Sequence, residues 1–164
     1  PGCAACREHG QQLTELSKDL PGVAFWAIVK ETGVEEEGIL TFFNDYFHFP
    51  IYKDEKWNVY KAMGGRSLSP LKAIWRFLLA KGRWADKGIP NRFQGGDVWI
   101  QGGVLLFKKG KLRFAYEEDY GKELVIANIR AAISSLQEED DTTNTDSTEF
   151  TDSSLTLAPS RHEI

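Results

Sequence analysis

Apolar residues recur every three or four positions in four stretches of the chain, and this spacing predicts four amphipathic helices. Their apolar positions are Cys6, Leu13, Leu16 and Leu20; Ile39, Leu40, Phe43 and Phe47; Leu71, Ile74, Trp75, Leu78 and Leu79; and Val125, Ile129, Ala132, Ile133 and Leu136. Two helices have recognisable starts, because Thr32 opens an S/T-x-x-E capping box and Ser69 precedes a proline. The last is predicted over residues 122–137. We expect each apolar face to pack on the core.

The strand signals fall between these helices. The unbroken apolar run 23–29 predicts a strand buried on both faces, as in a parallel sheet covered by helices. A short strand is predicted at 49–52. Residues 98–107 and 112–116 predict two strands joined at Lys109-Gly110, hence a β-hairpin.

The segments between the predicted elements are read from their polar residues. Asp54 is expected to cap a turn of helix through Trp57 and Tyr60. Residues 82–96 combine glycine, proline and charge, which predicts a loop.

The order of elements indicates the fold class. A parallel strand needs a parallel partner, so we expect a further strand just before Pro1. With that strand the order is βαβα followed by ββα, which is the layout of an α/β thioredoxin-like fold. Such a fold has a central mixed sheet with helices on both faces, and its first strand would be missing from this fragment.

Charge divides the chain into two regions. Residues 138–164 hold eight acidic residues and one basic residue, whereas residues 1–137 hold sixteen acidic and nineteen basic residues. The second region is rich in Ser, Thr, Asp and Glu and has little apolar surface to bury, so it predicts a disordered acidic tail. We therefore expect one domain over residues 1–137, incomplete at its N-terminus, and a tail over 138–164.

Several functional classes are disfavoured by composition. No apolar run reaches the roughly 18 residues of a membrane span. The modest positive charge of residues 1–137, without a nucleic-acid-binding motif, gives no reason to expect nucleic acid as a partner. Two cysteines are too few for a secreted disulfide framework, so a reducing, cytoplasmic location is expected. The chain begins at Pro1 rather than Met, and a targeting signal before it would not be visible.

The only two cysteines lie at the start of the chain with C-x-x-C spacing. Cys3 is expected at the N-terminus of the first helix, where free backbone N–H groups and the helix dipole favour a thiolate. Cys6 would lie one turn further along, within reach of a disulfide. A zinc site would need more ligands than the three scattered histidines offer, so no metal is expected. A structural disulfide over so short a loop, or two unrelated thiols, are the other interpretations.

Several motifs, taken in order, resemble one known family. They are the G-C-x-x-C-R start, the strand at 23–29, the stretch 52–56 followed by Tyr60, and the Gln101-Gly102-Gly103-Val104 segment. Over residues 1–137 the chain resembles the peroxiredoxin-like 2 group of the AhpC/TSA-type thioredoxin-like proteins. That group includes prostamide/prostaglandin F synthase.

The resemblance implies a thiol-dependent oxidoreductase of the peroxiredoxin-like or prostaglandin F synthase-like kind. Cys3 and Cys6 would be the catalytic pair, reducing a small hydrophobic peroxide or lipid endoperoxide. No bound cofactor is implied, and reducing equivalents would come from thioredoxin and NADPH or from another dithiol donor. Because the loop before the Gly102-Gly103 strand faces the C-x-x-C motif in thioredoxin-like folds, Gln101 and the Gly102 backbone are candidate substrate contacts. The glycines could instead serve close backbone packing.

Two features depart from relatives in the wider fold. Cys3 occupies the Thr position of the T-x-x-C motif of peroxiredoxins proper, which favours a dithiol mechanism. The segment 100–103 lacks the cis-proline that thioredoxin has there.

A second hypothesis comes from a basic segment. Residues 66–92 hold seven basic residues and one acidic residue, interleaved with aromatic residues. Such a helix can contact an anionic membrane surface, so the chain could be a non-enzymatic redox-responsive or lipid-surface binding protein. The alternative is a core-facing helix with a solvated basic face. Arg7 is a further candidate substrate contact that would add positive potential beside Cys3, unless it is merely solvated.

Overall fold

The structure is a computed structural model that describes residues 2–30, 36–92 and 100–145, with side chains to residue 139. The helices are α1 (Ala4–Ser17), α2 (Glu36–Asp45), α3 (Asn58–Ala62), α4 (Pro70–Asp86) and α5 (Ile126–Thr145). The strands are β1 (Ala27–Val29), β2 (Ile51–Lys53), β3 (Gly103–Lys108) and β4 (Lys111–Glu117). No helix within the described ranges combines the length and the apolar character needed to cross a bilayer.

The strands form two pairs. β1 and β2 are parallel, with Ile28 opposite Tyr52, and β3 and β4 form an antiparallel hairpin. The hairpin turns at Lys109 and Gly110, which have φ angles of 51° and 74°. A turn with two positive φ angles matches the right-handed twist of the flanking strands. The hairpin and the parallel character of β1 agree with the sequence analysis, but the observed parallel partner of β1 is β2 and not a strand before Pro1. The expected single central sheet, however, is not continuous in the described residues, where two two-stranded sheets are present.

A cleft of about 570 Å³ separates the two sheets. Residues 22–28 line one side, residues 102–108 line the other, and Ile129 and Ile133 contribute to the lining. The expected strand before Pro1 would lie outside this sequence and stays a prediction. Side chains of the two sides meet at one point, where the Trp26 ring stacks on the Phe107 ring.

Helix α1 connects two hydrophobic clusters. Its first turns pack with α2 and the C-terminal half of α4 in a cluster that contains Ala4, Phe42 and Trp84. Its last turns pack with α5 in a second cluster, where Leu16 and Ile129 are buried. Because α1 contributes to both clusters, the position of the C-x-x-C motif is fixed by most of the core.

Local signals predicted several helix starts correctly. Pro70 is the first residue of α4, after Ser69 in an extended conformation. The Asp54 carboxylate accepts hydrogen bonds from the backbone N–H groups of Asn58 and Val59 at 2.9 and 2.8 Å, so it caps α3 as expected. The predicted cap at Thr32 lies outside the described residues.

Other boundaries and faces differ from the predictions. β1 is shorter than the apolar run at 23–29. α4 continues to Asp86, so the predicted loop at 82–96 is wrong for its first residues, while residues 93–96 are not described. In α2 the buried residue is Phe42, whereas Phe43 and Leu40 are exposed. α5 continues past residue 137 to Thr145, into the region predicted as a tail.

Helix α4 has the predicted apolar face, but this face points to solvent and not to the core. Leu71, Ile74, Trp75, Leu78 and Leu79 are all exposed, while the inward side buries Ala80 and Trp84. The sequence pattern identified an apolar face correctly but could not reveal that it points away from the core.

Candidate functional site

The candidate site is built on the first turn of α1. Cys3 is the N-cap residue, with φ −73° and ψ 128°, and its carbonyl accepts the first helical hydrogen bond, from the Arg7 N–H at 3.1 Å. Cys6 lies one turn into the helix. Both are free thiols, and both residues are half-buried.

The two thiols are hydrogen bonded to each other, and their pKa values move in opposite directions. The hydrogen bond from Cys6 lowers the pKa of Cys3 to about 7, against burial, which raises it. The backbone N–H groups of Cys6 and Ala5 lower it further, as expected where a helix begins. The same contact raises the pKa of Cys6 well above its ordinary value, with burial and the charge of Cys3 adding to the effect. These directions favour Cys3 as the thiolate of the pair and Cys6 as the thiol.

Two tyrosines lie near the sulfur atoms. Burial raises the pKa of Tyr60 to about 12, and the charges of Cys6 and Glu118 raise it further. Burial also raises the pKa of Tyr120 to about 12, together with the charges of Cys3 and Cys6. Both hydroxyls therefore stay protonated around neutral pH, where Cys3 ionises.

Buried His9 and half-buried Glu118 form an ion pair near the cysteines. His9 Nδ1 lies 3.3 Å from Glu118 Oε2, and His9 Nε2 lies 2.8 Å from the Lys122 carbonyl, which accepts a hydrogen bond from it. Burial favours neutral His9, but the hydrogen bond and charge of Glu118 outweigh it, so the pKa of His9 is raised. Burial likewise raises the pKa of Glu118, yet His9, the Gly102 N–H and Arg66 together lower it. The charge of Glu118 raises the pKa values of both Cys3 and Cys6.

The predicted substrate contacts Gln101 and Gly102 lie in the segment that leads into β3. The Gly102 N–H donates to Glu118 Oε1 at 2.6 Å, and its carbonyl accepts from Arg66 Nη2 at 2.9 Å. The Gln101 N–H donates to the Arg66 carbonyl at 2.9 Å. The structure therefore links Gly102 to the cysteines through Glu118, but the polar groups of its backbone are already engaged. Gln101 is half-buried, and its side chain stays a predicted contact.

The next glycine has a packing role. A Cβ atom at Gly103 would lie 2.3 Å from the Tyr116 carbonyl oxygen and 2.8 Å from Met63 Cε, so no larger residue fits without a backbone shift. At Gly102 the nearest atoms would belong to Glu118 at an ordinary 3.4 Å. The packing explanation of the Gly-Gly pair thus holds for Gly103.

Arg7 is not a solvated surface residue. Its side chain is buried, Nη1 donates to the Pro90 carbonyl at 2.8 Å, and the guanidinium lies 5.1 Å from the centre of the Tyr46 ring. These surroundings support a structural role for Arg7. Its effect on the potential beside Cys3 and its contact with substrate stay predictions.

Sequence reasoning missed His9 and Glu118. A signal existed for His9, since a residue three positions after Cys6 lies beside it on the helix. None existed for Glu118, because its approach to α1 depends on the hairpin and on the chain that follows β4. Within the described ranges, no three His, Cys, Asp or Glu side chains gather as a metal site would require.

Comparison with known families gives a direct assignment. Residues 11–120, about two thirds of the 164 residues, match the family described as AhpC/TSA antioxidant enzyme. The chain therefore belongs to the AhpC/TSA antioxidant enzyme family, whose members are peroxiredoxin-like and share a thioredoxin-like α/β fold. Membership indicates thiol-dependent peroxidase or oxidoreductase activity in general. The matched range begins after Cys3 and Cys6, and no match was found among curated proteins or solved structures.

Proposed function

We propose that this chain is a two-cysteine thiol peroxidase in which Cys3 is the nucleophile and Cys6 the resolving thiol. The observation that carries the proposal is the hydrogen-bonded thiol pair at the start of α1, with the pKa of Cys3 lowered to about 7. A thiolate at neutral pH is the species that attacks peroxides and disulfides. Membership in an antioxidant enzyme family supports the same class of reaction.

The first step reduces the peroxide. The Cys3 thiolate attacks one oxygen of the O–O bond, which breaks, and the other oxygen leaves as an alkoxide and takes a proton from solvent. Cys3 is thereby oxidised to a sulfenic acid and a hydroperoxide is reduced to an alcohol. With a cyclic endoperoxide, the attacked oxygen remains attached to Cys3 as a sulfenate ester.

The second step forms the disulfide. Before oxidation, the pKa of Cys6 is raised chiefly by its hydrogen bond to Cys3 and also by the Cys3 charge. Oxidation of Cys3 removes both causes, so Cys6 ionises more readily once it is needed. The Cys6 thiolate then attacks the Cys3 sulfur, the S–O bond breaks, and water or the second alcohol group is released.

The third step restores the thiols. A dithiol donor such as thioredoxin attacks the Cys3–Cys6 disulfide, is itself oxidised to a disulfide, and leaves both cysteines reduced. NADPH would be consumed upstream of the donor. Each cycle converts one peroxide and one dithiol to alcohol, water and a disulfide.

Glu118 and His9 act as positioning residues through charge. The hydrogen bond to Cys3 is the main reason that Cys6 stays protonated, and the charge of the Glu118 carboxylate adds a smaller contribution. The Cys3 pKa stays at about 7 because the hydrogen bonds from Cys6 and the helix start outweigh the effect of this charge. His9 and the Gly102 N–H hold the carboxylate in its ionised form.

The experiment exposes the reduced protein separately to hydrogen peroxide, a lipid hydroperoxide and a prostaglandin endoperoxide. Peptide mass spectrometry then measures a Cys3–Cys6 disulfide, and NADPH consumption with thioredoxin and its reductase measures turnover. We expect disulfide formation with at least one oxidant and faster reaction with the apolar substrates. If none of the three oxidants yields the Cys3–Cys6 bond, the proposal is wrong. Gln101→Ala separates the substrate role from chemistry, since it should raise KM for the preferred oxidant and leave the pKa of Cys3 unchanged.

A further inference from the structure

The outer face of α4 carries an exposed apolar ridge. We define the ridge by its five large side chains, each between 48% and 80% exposed: Leu71, Ile74, Trp75, Leu78 and Leu79. They follow the i, i+3, i+4, i+7 spacing of one helix face and so form a continuous strip. Over 17 residues α4 is about 25 Å long, so the strip extends along most of it. Contiguous exposed apolar surface of this kind marks an interaction site.

The ridge cannot turn inward, because the opposite face of α4 is tied to the body of the protein. The buried Glu8 carboxylate accepts hydrogen bonds from Arg83 Nε at 2.8 Å and from Trp84 Nε1 at 2.9 Å. Arg76 forms an ion pair with Asp119 and donates to the Tyr120 carbonyl. Trp84 also packs in the core beside Ala80. Since these contacts fix the rotation of α4, the ridge faces outward in the folded state.

Charge on the rim of the ridge favours an anionic partner. At 100° per residue, Lys72 lies on one side of the ridge and Lys81 on the other, and both are exposed. The other two bases of α4, Arg76 and Arg83, point to the body, where Asp119 and Glu8 hold them. Asp86 is the acidic residue of the helix and lies beyond the last ridge residue. The exposed face therefore combines an apolar centre that contains a tryptophan with lysines on both sides.

This combination matches a lipid surface better than a second copy of the chain. Two ridges packed together would bring Lys72 and Lys81 of one copy near the same lysines of the other. An anionic bilayer offers acyl chains for the ridge and negative headgroups for the lysines, whose long stems let the ammonium reach the headgroup level. Trp75 is of the residue type enriched at that level.

We propose that α4 lies in the interface of an anionic lipid bilayer, with the ridge buried among acyl chains and Lys72 and Lys81 bound to headgroups. This inference is independent of the peroxidase chemistry, because the ridge and the cysteines belong to different elements. The membrane contact expected for residues 66–92 is thereby assigned to one face of α4.

The test is co-sedimentation of the full chain with vesicles of phosphatidylcholine alone and of phosphatidylcholine with about 30% phosphatidylserine. We expect a partition coefficient about tenfold higher on the anionic vesicles, decreasing with added salt because the lysines are solvent-exposed. Trp75→Asp should reduce binding to both vesicles by about tenfold or more. The Lys72→Glu/Lys81→Glu double variant should remove the preference for anionic lipid.

A matched control keeps the outcome interpretable. Leu112→Asp places the same charge on another exposed apolar residue, on β4, and should leave vesicle binding unchanged. All substituted residues are exposed, and circular dichroism verifies that each variant is folded. Equal binding of the wild type to both vesicle types overturns the proposal. So does dimerisation in analytical ultracentrifugation that Trp75→Asp abolishes without any vesicle binding, since the occupant is then a second copy.

Discussion

Two carboxylates lie near the N-terminal half of α1, the buried Glu8 and the half-buried Glu118, and their surroundings differ in kind. Glu8 is held by Arg83, Lys87 and the Trp84 indole, all of which keep the same protonation state across the physiological range. Glu118 is held by His9 and by the backbone N–H of Gly102. The partners of Glu8 therefore keep their charge across the physiological range, whereas Glu118 has a partner, His9, that titrates.

The comparison shows how the same chemical group serves structure in one place and reactivity in another. Burial raises the pKa of Glu8, but hydrogen bonds from Arg83, Lys87 and Trp84 overcome it and lower the pKa to about 2. Glu8 thus links α1 to α4 at any neutral pH. Glu118 acts on the two sulfurs by its charge, and that charge is balanced by His9, an ionisable partner whose pKa Glu118 raises.

The largest effect on activity is expected at Cys3, whose pKa the charge of Glu118 raises. Cys3→Ser should reduce peroxide turnover by about 100-fold or more, because a serine hydroxyl is not ionised at neutral pH. Cys6→Ser should still allow a single oxidation of Cys3 but block recycling through a disulfide. Stopped-flow peroxide consumption separates the two variants. Full turnover in Cys3→Ser would show that the site lies elsewhere.

The largest effect on stability is expected at the carboxylate with permanent partners. Glu8→Gln removes the negative charge from between Arg83 and Lys87, and breaking a buried ion pair costs about 3 kcal/mol. Urea unfolding monitored by tryptophan fluorescence measures the loss of free energy. Glu15→Gln is the control, since Glu15 lies on the same helix in an exposed pair with Lys18 and should change stability by under about 0.5 kcal/mol. A similar loss in both variants would remove the structural distinction drawn for Glu8.

Acid should lower the free energy of unfolding through protonation of Glu8. The folded pKa of Glu8 is about 2 and its ordinary value is 4.5, so its contribution is present above pH 4.5 and is lost as the pH falls from 4.5 toward 2. Urea unfolding at pH 7, 4.5 and 3 should show a steeper decline for the wild type than for Glu8→Gln. Parallel declines in the two proteins would indicate that other carboxylates determine acid unfolding.

His9, the partner of Glu118 that titrates, is expected to give a smaller pH dependence of stability with the opposite sign. His9 has a raised pKa, so the stability that it contributes is present below pH 6.5 and is lost as the pH rises through its folded value. His9→Gln should therefore cost about 1 kcal/mol at pH 6 and less at pH 9. Unfolding free energies at the two pH values measure the difference. A cost that is equal at both pH values would mean that His9 acts only by packing.

The smallest effect is expected for the charge of Glu118 on the thiolate. Glu118→Gln removes a negative charge near the thiolate. Because the loss of this charge stabilises the thiolate, the pKa of Cys3 should fall by a fraction of a unit. The pH dependence of iodoacetamide reaction measures that shift. The adjacent Glu117→Gln is the matched control, because its side chain is 68% exposed and solvent screens its charge. If both variants behave alike, the influence of Glu118 is not specific.

Local rules predicted the features that depend on neighbouring residues. The helix that begins at Cys3, the proline start of α4, the Asp54 cap and the hairpin turn at Lys109-Gly110 follow from capping, φ preference and turn chemistry. Each of these features depends on residues within a few positions of each other, so a single sequence is enough to predict it.

Features that depend on distant partners were not accessible in this way. The α4 ridge has the same spacing as a buried face, and only the anchoring of Arg83 and Trp84 to Glu8 decides which side is inward. Glu118 reaches the cysteine pair from more than a hundred positions away in the chain. Arginine is rarely buried without partners, so the sequence alone favours a solvated Arg7, and its partner Pro90 lies 83 positions away.

The central claim is that Cys3 alone is ionised at neutral pH while Cys6 remains a thiol. The most direct measurement is the rate of iodoacetamide alkylation of the reduced protein from pH 5 to pH 10, with the labelled cysteine identified by mass spectrometry. The account predicts that Cys3 is labelled first, with a rate that rises around a midpoint near pH 7. A midpoint at the ordinary thiol value of 9.0, or earlier labelling of Cys6, would contradict it.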